Sequence, residues 1–187
     1  HIDYRGKTPN KITDGIFLVT AKNVKKGFID YEVSKEFVES IEYSKIMRRG
    51  LPKIGDVLIT TEAPCGNVAQ VDNENIALAQ RVIKYCGNNE IYNTFLKYEL
   101  LSDYFQNELK KVTSGGTVSG VKGSILHQMK INFCSKEEQV KISTFLSLLD
   151  KKIELQSKKI EALKLFKLYT KNQIFKDYDE IFKLKDI

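Results

Sequence analysis

Along the C-terminal third of the chain, apolar residues recur at alternating steps of four and three. The series is Ile142, Leu146, Leu149, Ile153, Ile160 and Leu163, with Gln156 as its one polar member. A period of 3.5 predicts a helix whose stripe faces another helix, with Lys151, Lys152, Glu154, Lys158, Lys159 and Glu161 turned outward. Its start is marked by Ser135-Lys-Glu-Glu138, a serine N-cap with a glutamate three positions on. No glycine or proline follows as far as Gln173, so one helix of roughly 50–60 Å is expected at 1.5 Å per residue. The stripe could be the core face of a bundle inside one domain. The 3.5 period argues instead for a coiled coil, because a core-facing helix drifts toward 3.6. Gln156 within the seam fits a residue that sets register and partner number. Beyond Leu163 the seam runs into Lys167 and Thr170, so pairing should loosen there, and Phe166, Tyr169 and Phe175 mark a more globular contact.

Upstream the pattern is that of short strands. Ile16-Phe-Leu-Val-Thr20 reads as a buried strand, Phe28–Val33 as a second, and Val57-Leu-Ile-Thr-Thr61 as a strongly β-branched third. Val68–Val71 and Ile76–Tyr85 supply more, with turns at Lys25-Lys-Gly27, Lys53-Ile-Gly-Asp56 and Pro64-Cys-Gly-Asn67. Glu36–Ile46 is expected to be a short helix. From Asn89 to Lys111 the spacing of Ile91, Phe95, Leu96, Leu100, Leu101, Phe105 and Leu109 predicts a longer one. Residues 113–123 hold four glycines among hydroxyls and a lysine, a loop with exposed backbone. Met129–Phe133 is expected as a last strand. The expected class is α+β: a small, twisted, mostly antiparallel β-rich domain with flanking helices over residues 1–134. A long coiled-coil-type helix over 135–175 and a tail over 176–187 follow it.

Charge broadens the picture only slightly. The net charge is +6. Residues 135–187 carry 12 lysines against 9 acids and the remainder 18 basic against 15 acidic residues, so the excess is spread evenly. That is compatible with a polyanionic partner. Cys65, Cys86 and Cys134 are isolated, and only His1 and His127 could join them, so neither a zinc site nor any other cofactor is expected. No run of eighteen apolar residues and no signal-peptide pattern occurs, and a soluble, cytoplasmic protein is the expectation.

Catalytic signatures are missing. Gly115–Gly123 lacks the G-x-x-x-x-G-K-[ST] spacing of a phosphate loop, and no Gly-x-Ser-x-Gly elbow occurs. The tetrapeptide of DNA amino-methyltransferases is absent, since none of the three prolines adjoins another. His127 reads as a satisfied polar residue, and Glu137 and Glu138 suit a helix start without any catalytic role. Nucleic-acid binding fits better. Lys7, Lys22, Asn23, Lys25, Arg48, Arg49, Lys53, Ser114, Thr117 and Lys122 all fall in turns or loops. There, cations can hold phosphates while Asn and Arg read base edges. Taken singly, each of these is equally a solvated loop residue.

The order of motifs carries a resemblance. Gly55-Asp-Val-Leu-Ile-Thr60, Ala79-Gln-Arg-Val-Ile83, Phe95-Leu96, Leu101-Ser102, Phe105-Gln106, Gly115-Gly-Thr-Val118, Met129-Lys-Ile131 and Glu138-Gln-Val-Lys-Ile142 lead into the heptad helix. The whole resembles one repeat of the specificity subunit of type I restriction–modification systems. The resemblance implies a target recognition domain that reads one half of a split double-stranded DNA site, followed by a conserved spacer helix. In that family the helices of two repeats pack antiparallel, and the non-catalytic subunit docks methyltransferase subunits, which restriction subunits join. On this basis Ile142, Leu146, Leu149, Ile153, Gln156, Ile160 and Leu163 would form the pairing interface with a second repeat or a second copy, giving a homodimer. Two departures stand out: Cys134-Ser135 replace the usual prolines before the helix, and the usual N-terminal tryptophan and strand are missing. Glu180–Ile187 resembles the start of such a repeat, so the chain reads as circularly permuted, its tail expected to return to the residue 1–20 region of this chain or a partner. A coiled-coil-tethered protein-interaction module without DNA binding is the competing reading, and an undetected nuclease a third.

Overall fold

The computed structural model describes residues 1–4, 9–113 and 120–176. Lys7, Ser114, Thr117 and the tail from residue 177 lie outside them, and so does the expected return of that tail. The chain divides into two compact units, His1–Ser143 and Thr144–Ile187.

The first unit is built around a strand that is covered on both faces. In chain order its elements are β1 (Ile2–Asp3), β2 (Ile16–Val19), β3 (Phe37–Val38), α1 (Ser40–Ile46), β4 (Val57–Thr61), β5 (Cys65–Gln70), β6 (Ile76–Leu78), β7 (Val82–Tyr85), α2 (Asn93–Leu101), α3 (Asp103–Val112) and α4 (Gly123–Leu126). An antiparallel sheet has the order β1-β7-β4-β5. Side chains alternate across a strand. Val57 and Ile59 of β4 therefore enter one core with Val68, Ile83, Leu96, Leu100, Phe105 and Leu109, while Leu58 enters another with Ala69, Val82, Leu18, Val19, Ile76 and Leu78. The first core lies under α2 and α3. The second lies against a smaller sheet of order β3-β2-β6, in which β2 pairs antiparallel with β3 and parallel with β6. Burial on both faces explains why β4 reads as an unbroken apolar run.

A buried ion pair sits at the entry to β4. Lys84 on β7 meets Asp56, both almost wholly buried, and Asp56 also accepts the Lys53 backbone N–H at 2.9 Å. Tyr4 donates its hydroxyl to the Gly50 carbonyl at 2.6 Å. Burial raises the Tyr4 hydroxyl well above its usual value, and the Asp56 carboxylate pushes the same way.

Four sequence expectations are corrected. Phe28–Val33 is not a strand among the described residues; Ile29 makes only an isolated bridge to Val24. Phe37–Val38 pairs with β2, so the expected Glu36–Ile46 helix begins only at Ser40. The expected Asn89–Lys111 helix breaks at Ser102, whose Oγ accepts the Phe105 N–H at 3.2 Å and so starts α3. Met129–Phe133 is irregular: Asn132 donates its N–H to the Glu99 carboxylate at 2.9 Å while Met129 and Ile131 pack on the core. At the β5 edge of the larger sheet the Gly27 N–H bonds the Val68 carbonyl at 2.7 Å.

The last helix, α5 (Lys136–Ile174), has 39 residues and opens in the first unit. The Ser135 Oγ accepts the Glu138 N–H at 3.4 Å and the Glu138 carboxylate accepts the Ser135 N–H at 3.1 Å, a reciprocal capping box. In the second unit Lys158 pairs with Glu154 at 2.6 Å. No helix among the described residues is long and apolar enough to cross a membrane.

Candidate nucleic-acid interface

The predicted DNA-facing residues hang on three pieces of backbone, each fixed from within. The first is the loop after β2, and its keystone is Asn23. This side chain is 0% exposed. Its Oδ1 accepts the Thr20 N–H at 2.9 Å and the Thr20 hydroxyl at 2.7 Å, and its Nδ2 donates to the Asp30 and Val33 carbonyls. A side chain so engaged cannot reach a base edge, which corrects the expectation that Asn23 reads DNA. Lys22 beside it is exposed and Lys25 half-buried. The loop is tied to β5 by the Asn67 amide, which donates to the Val24 carbonyl at 2.8 Å.

Arg48 and Arg49 occupy the turn after α1. Met47 before them is buried, Gly50 after them is held by Tyr4, and both arginines are exposed. Gly50 has a φ of 142°, which residues with a side chain rarely adopt, and a Cβ there would also push on Ile2 Cδ1 at 2.4 Å, so a substitution would strain the turn. Lys53 is exposed while its backbone serves Asp56. The third piece is Val121-Lys122. Val121 donates to the Thr61 carbonyl at 2.9 Å, and the exposed Lys122 precedes α4.

These cations fall into two groups along β4. Lys53 stands at its Val57 end, and Arg48 and Arg49 adjoin Gly50, which abuts Ile2 across β7. Lys122 stands at the Thr61 end. Lys22 and Lys25 belong there as well, because the Val19 carbonyl just before their loop accepts the Ala79 N–H at 3.0 Å, beside the start of β7. Strand geometry separates the two ends of β4 by roughly 13 Å, at about 3.3 Å per residue.

At the Thr61 end the structure also brings together residues that the sequence pattern did not single out as a site. Arg81, in the turn between β6 and β7, pairs through Nε with Glu62 Oε2 at 3.0 Å. Glu62 in turn bridges to Gly120. In sequence Arg81 showed only as a charge following the polar Gln80 in an otherwise apolar run, within the Ala79–Ile83 motif. His127 is 2.7 Å through Nδ1 from the Tyr85 hydroxyl, at the end of α4. Among the described residues no three or more His, Cys, Asp or Glu side chains are grouped to hold a metal ion. Burial pushes the Cys65 thiol up, away from a reactive thiolate.

The predicted pairing residues lie on α5. Ile142, Leu149, Ile153, Ile160 and Leu163 are between 41% and 64% exposed, Leu146 is half-buried and Gln156 exposed. A second line, Leu148, Leu155, Ala162 and Tyr169, repeats every seven residues about 100° round the helix from Leu149 and Leu163. Phe145 and Phe166 fall between the two lines, and all the large members of both are exposed or half-exposed.

Comparison with known proteins agrees with this architecture. The family described as the type I restriction modification DNA specificity domain matches residues 10–165. The MjaIX specificity subunit of a type I restriction enzyme from Methanocaldococcus jannaschii is 35% identical over 124 residues, 64% of this chain and 28% of that protein. The MjaVIII specificity subunit from the same organism is 30% identical over 119 residues, 59% of this chain and again 28% of the relative. The chain thus spans less than a third of the curated relatives it matches. Among solved structures, the type I restriction–modification S subunit from M. genitalium superposes with a TM-score of 0.58 at 19% identity, over 89% of this chain and 40% of that one. A chain from a study of assembly and conformational transition of the type I R-M system gives 0.59 at 18% identity, over 90% and 40%. These last two likenesses bear on the fold. With the family match running from Asn10 through the globular unit and well into α5, the chain belongs to the type I restriction modification DNA specificity domain family.

Proposed function

We propose that this chain is a non-catalytic reader of one half of a split duplex-DNA site, which directs the methyltransferase and restriction subunits of a type I restriction–modification complex to that site. The family match over residues 10–165 is the observation that carries this reading. Cations on fixed loops support it: the exposed Lys22, Arg48, Arg49, Lys53 and Lys122 and the half-buried Lys25 would hold phosphates in this reading, and a wrong base at a read position typically costs about 1–3 kcal/mol. Lys7, Ser114 and Thr117 belong to the same proposal on sequence grounds alone.

In this reading α5 is a spacer. Its seam from Ile142 to Leu163 packs antiparallel on the same helix of a second repeat or a second copy, and so sets the distance between two half-sites. One partner helix covers one seam. The line of Leu148, Leu155 and Tyr169 is then left for a further helix, and a methyltransferase subunit is the partner proposed for it.

Salt dependence of duplex-DNA affinity tests the reading. Phosphate contacts release counterions, so the logarithm of affinity should fall linearly with the logarithm of salt, with a slope near −0.9 per contact. Affinity that is absent, or insensitive to salt, would favour a protein-interaction module instead.

A further inference from the structure

We propose that Arg81 is a base-reading side chain directed at guanine in the major groove, and that Glu62 is its positioning residue. The inference rests on the DNA-reading function proposed above. It concerns the Thr61 end of β4, where separate segments of chain are locked together by backbone bonds. The Arg81 carbonyl accepts both the N–H of Thr61, at 3.0 Å, and its hydroxyl, at 3.3 Å. The Thr61 carbonyl accepts from Val121, Glu62 bridges to Gly120, and Ala79 is tied to Val19. The backbone that carries Arg81 is therefore held by Thr61 and by the Ala79–Val19 bond two residues before it.

Its side chain has an unusual combination of restraint and exposure. The Nε is held by Glu62 Oε2 at 3.0 Å, yet the side chain is 57% exposed. A guanidinium held this way presents a planar pair of donors, the geometry that meets O6 and N7 of guanine. Holding one nitrogen also restricts the side chain beforehand, which lowers the ordering cost of binding. Stability does not account for the pair, because exposed ion pairs contribute little. Lys122, exposed and one residue beyond Val121, stands at the same end to engage a phosphate.

The test is selection from a randomised double-stranded DNA library by the full chain, beside Arg81→Ala, Arg81→Gln and Glu62→Gln, with thermal melts to check folding. Wild type should enrich a motif containing a guanine. Both Arg81 variants should lose discrimination at that one position by roughly 5- to 150-fold, leaving the others intact. Glu62→Gln should weaken the same position to a smaller degree. An unchanged motif in folded Arg81 variants would overturn the inference. So would a uniform loss of affinity with the motif preserved, which would make Arg81 a phosphate contact. Failure of wild type to enrich any sequence would instead overturn the DNA-reading function, and is seen before any variant is tried.

Discussion

The Gln139 side-chain carbonyl accepts the backbone N–H of Tyr92 at 2.9 Å, across 47 positions of sequence. The same amide donates to the carbonyls of Glu90 and Cys134, each at 2.8 Å, and the residue is 0% exposed. Three backbone groups of the approach to α2 and the approach to α5 are thereby satisfied by one side chain. Gln139→Leu has nearly the same volume but no polar atoms, and strands those groups. A buried unsatisfied group costs about 1–3 kcal/mol, so urea denaturation should show the variant at least about 2 kcal/mol less stable. Gln156→Leu, at an exposed seam position, should leave the stability of the globular unit unchanged.

Asn23 and Lys22 are neighbours with opposite roles. Asn23→Ala removes the partner of the Thr20 N–H and of the part-buried Asp30 and Val33 carbonyls, and should lower the unfolding free energy by about 2–4 kcal/mol in the same assay. Lys22→Ala should leave stability within about 0.5 kcal/mol of wild type, as surface substitutions do. It should instead weaken duplex-DNA binding and flatten its salt dependence by about one phosphate contact.

The capping box gives α5 a pH signature. Hydrogen bonds from the Ser135 side chain and backbone hold the Glu138 carboxyl below its unperturbed 4.5. A folded value below the unfolded one means that the unfolded chain binds the proton more readily. The contribution is therefore complete above about pH 4.5 and is lost as pH falls through the depressed folded value. Helicity followed by circular dichroism on acidification should show this loss, and Glu138→Gln should remove that part of the pH dependence. An identical acid profile in the variant would mean that the cap does not hold the carboxylate in solution.

The seam of α5 should make the chain a dimer. Light scattering at two concentrations should give twice the chain mass, and changing Leu149 and Ile153 together to Asp should give the monomer, because two buried like charges per helix cannot be desolvated without partners. A monomer in wild type would mean that the seam awaits a different partner, such as a second repeat.

Legibility in the sequence followed the range of the interactions. β4 and the start of α5 were readable because β-branched residues and a capping box act within a few positions. The bounds Val57–Thr61 and the Ser135 cap agree with the structure. Phe28–Val33 misled because its β-like composition serves a loop organised by Asn23, and nothing local shows that an asparagine between lysines is buried. Met129–Phe133 misled for a related reason: its backbone and apolar side chains are engaged by Glu99 and the core under α2 and α3, contacts between distant positions that nothing local announces. At the candidate site the exposed cations were visible as charges. Their division between the two ends of β4, and the meeting of Arg81 with Glu62, depend on strand register and turn contacts between distant positions.

The central claim is that one chain reads a half-site and that α5 spaces two of them. Selection from a random duplex library with the intact chain tests both parts at once. The expected product is a pair of identical half-sites in opposite orientation at one fixed separation, and the Leu149→Asp, Ile153→Asp double variant should retain the half-site but lose the fixed separation. Recovery of no enriched sequence, or of half-sites with no preferred separation from a dimeric wild type, would contradict the account.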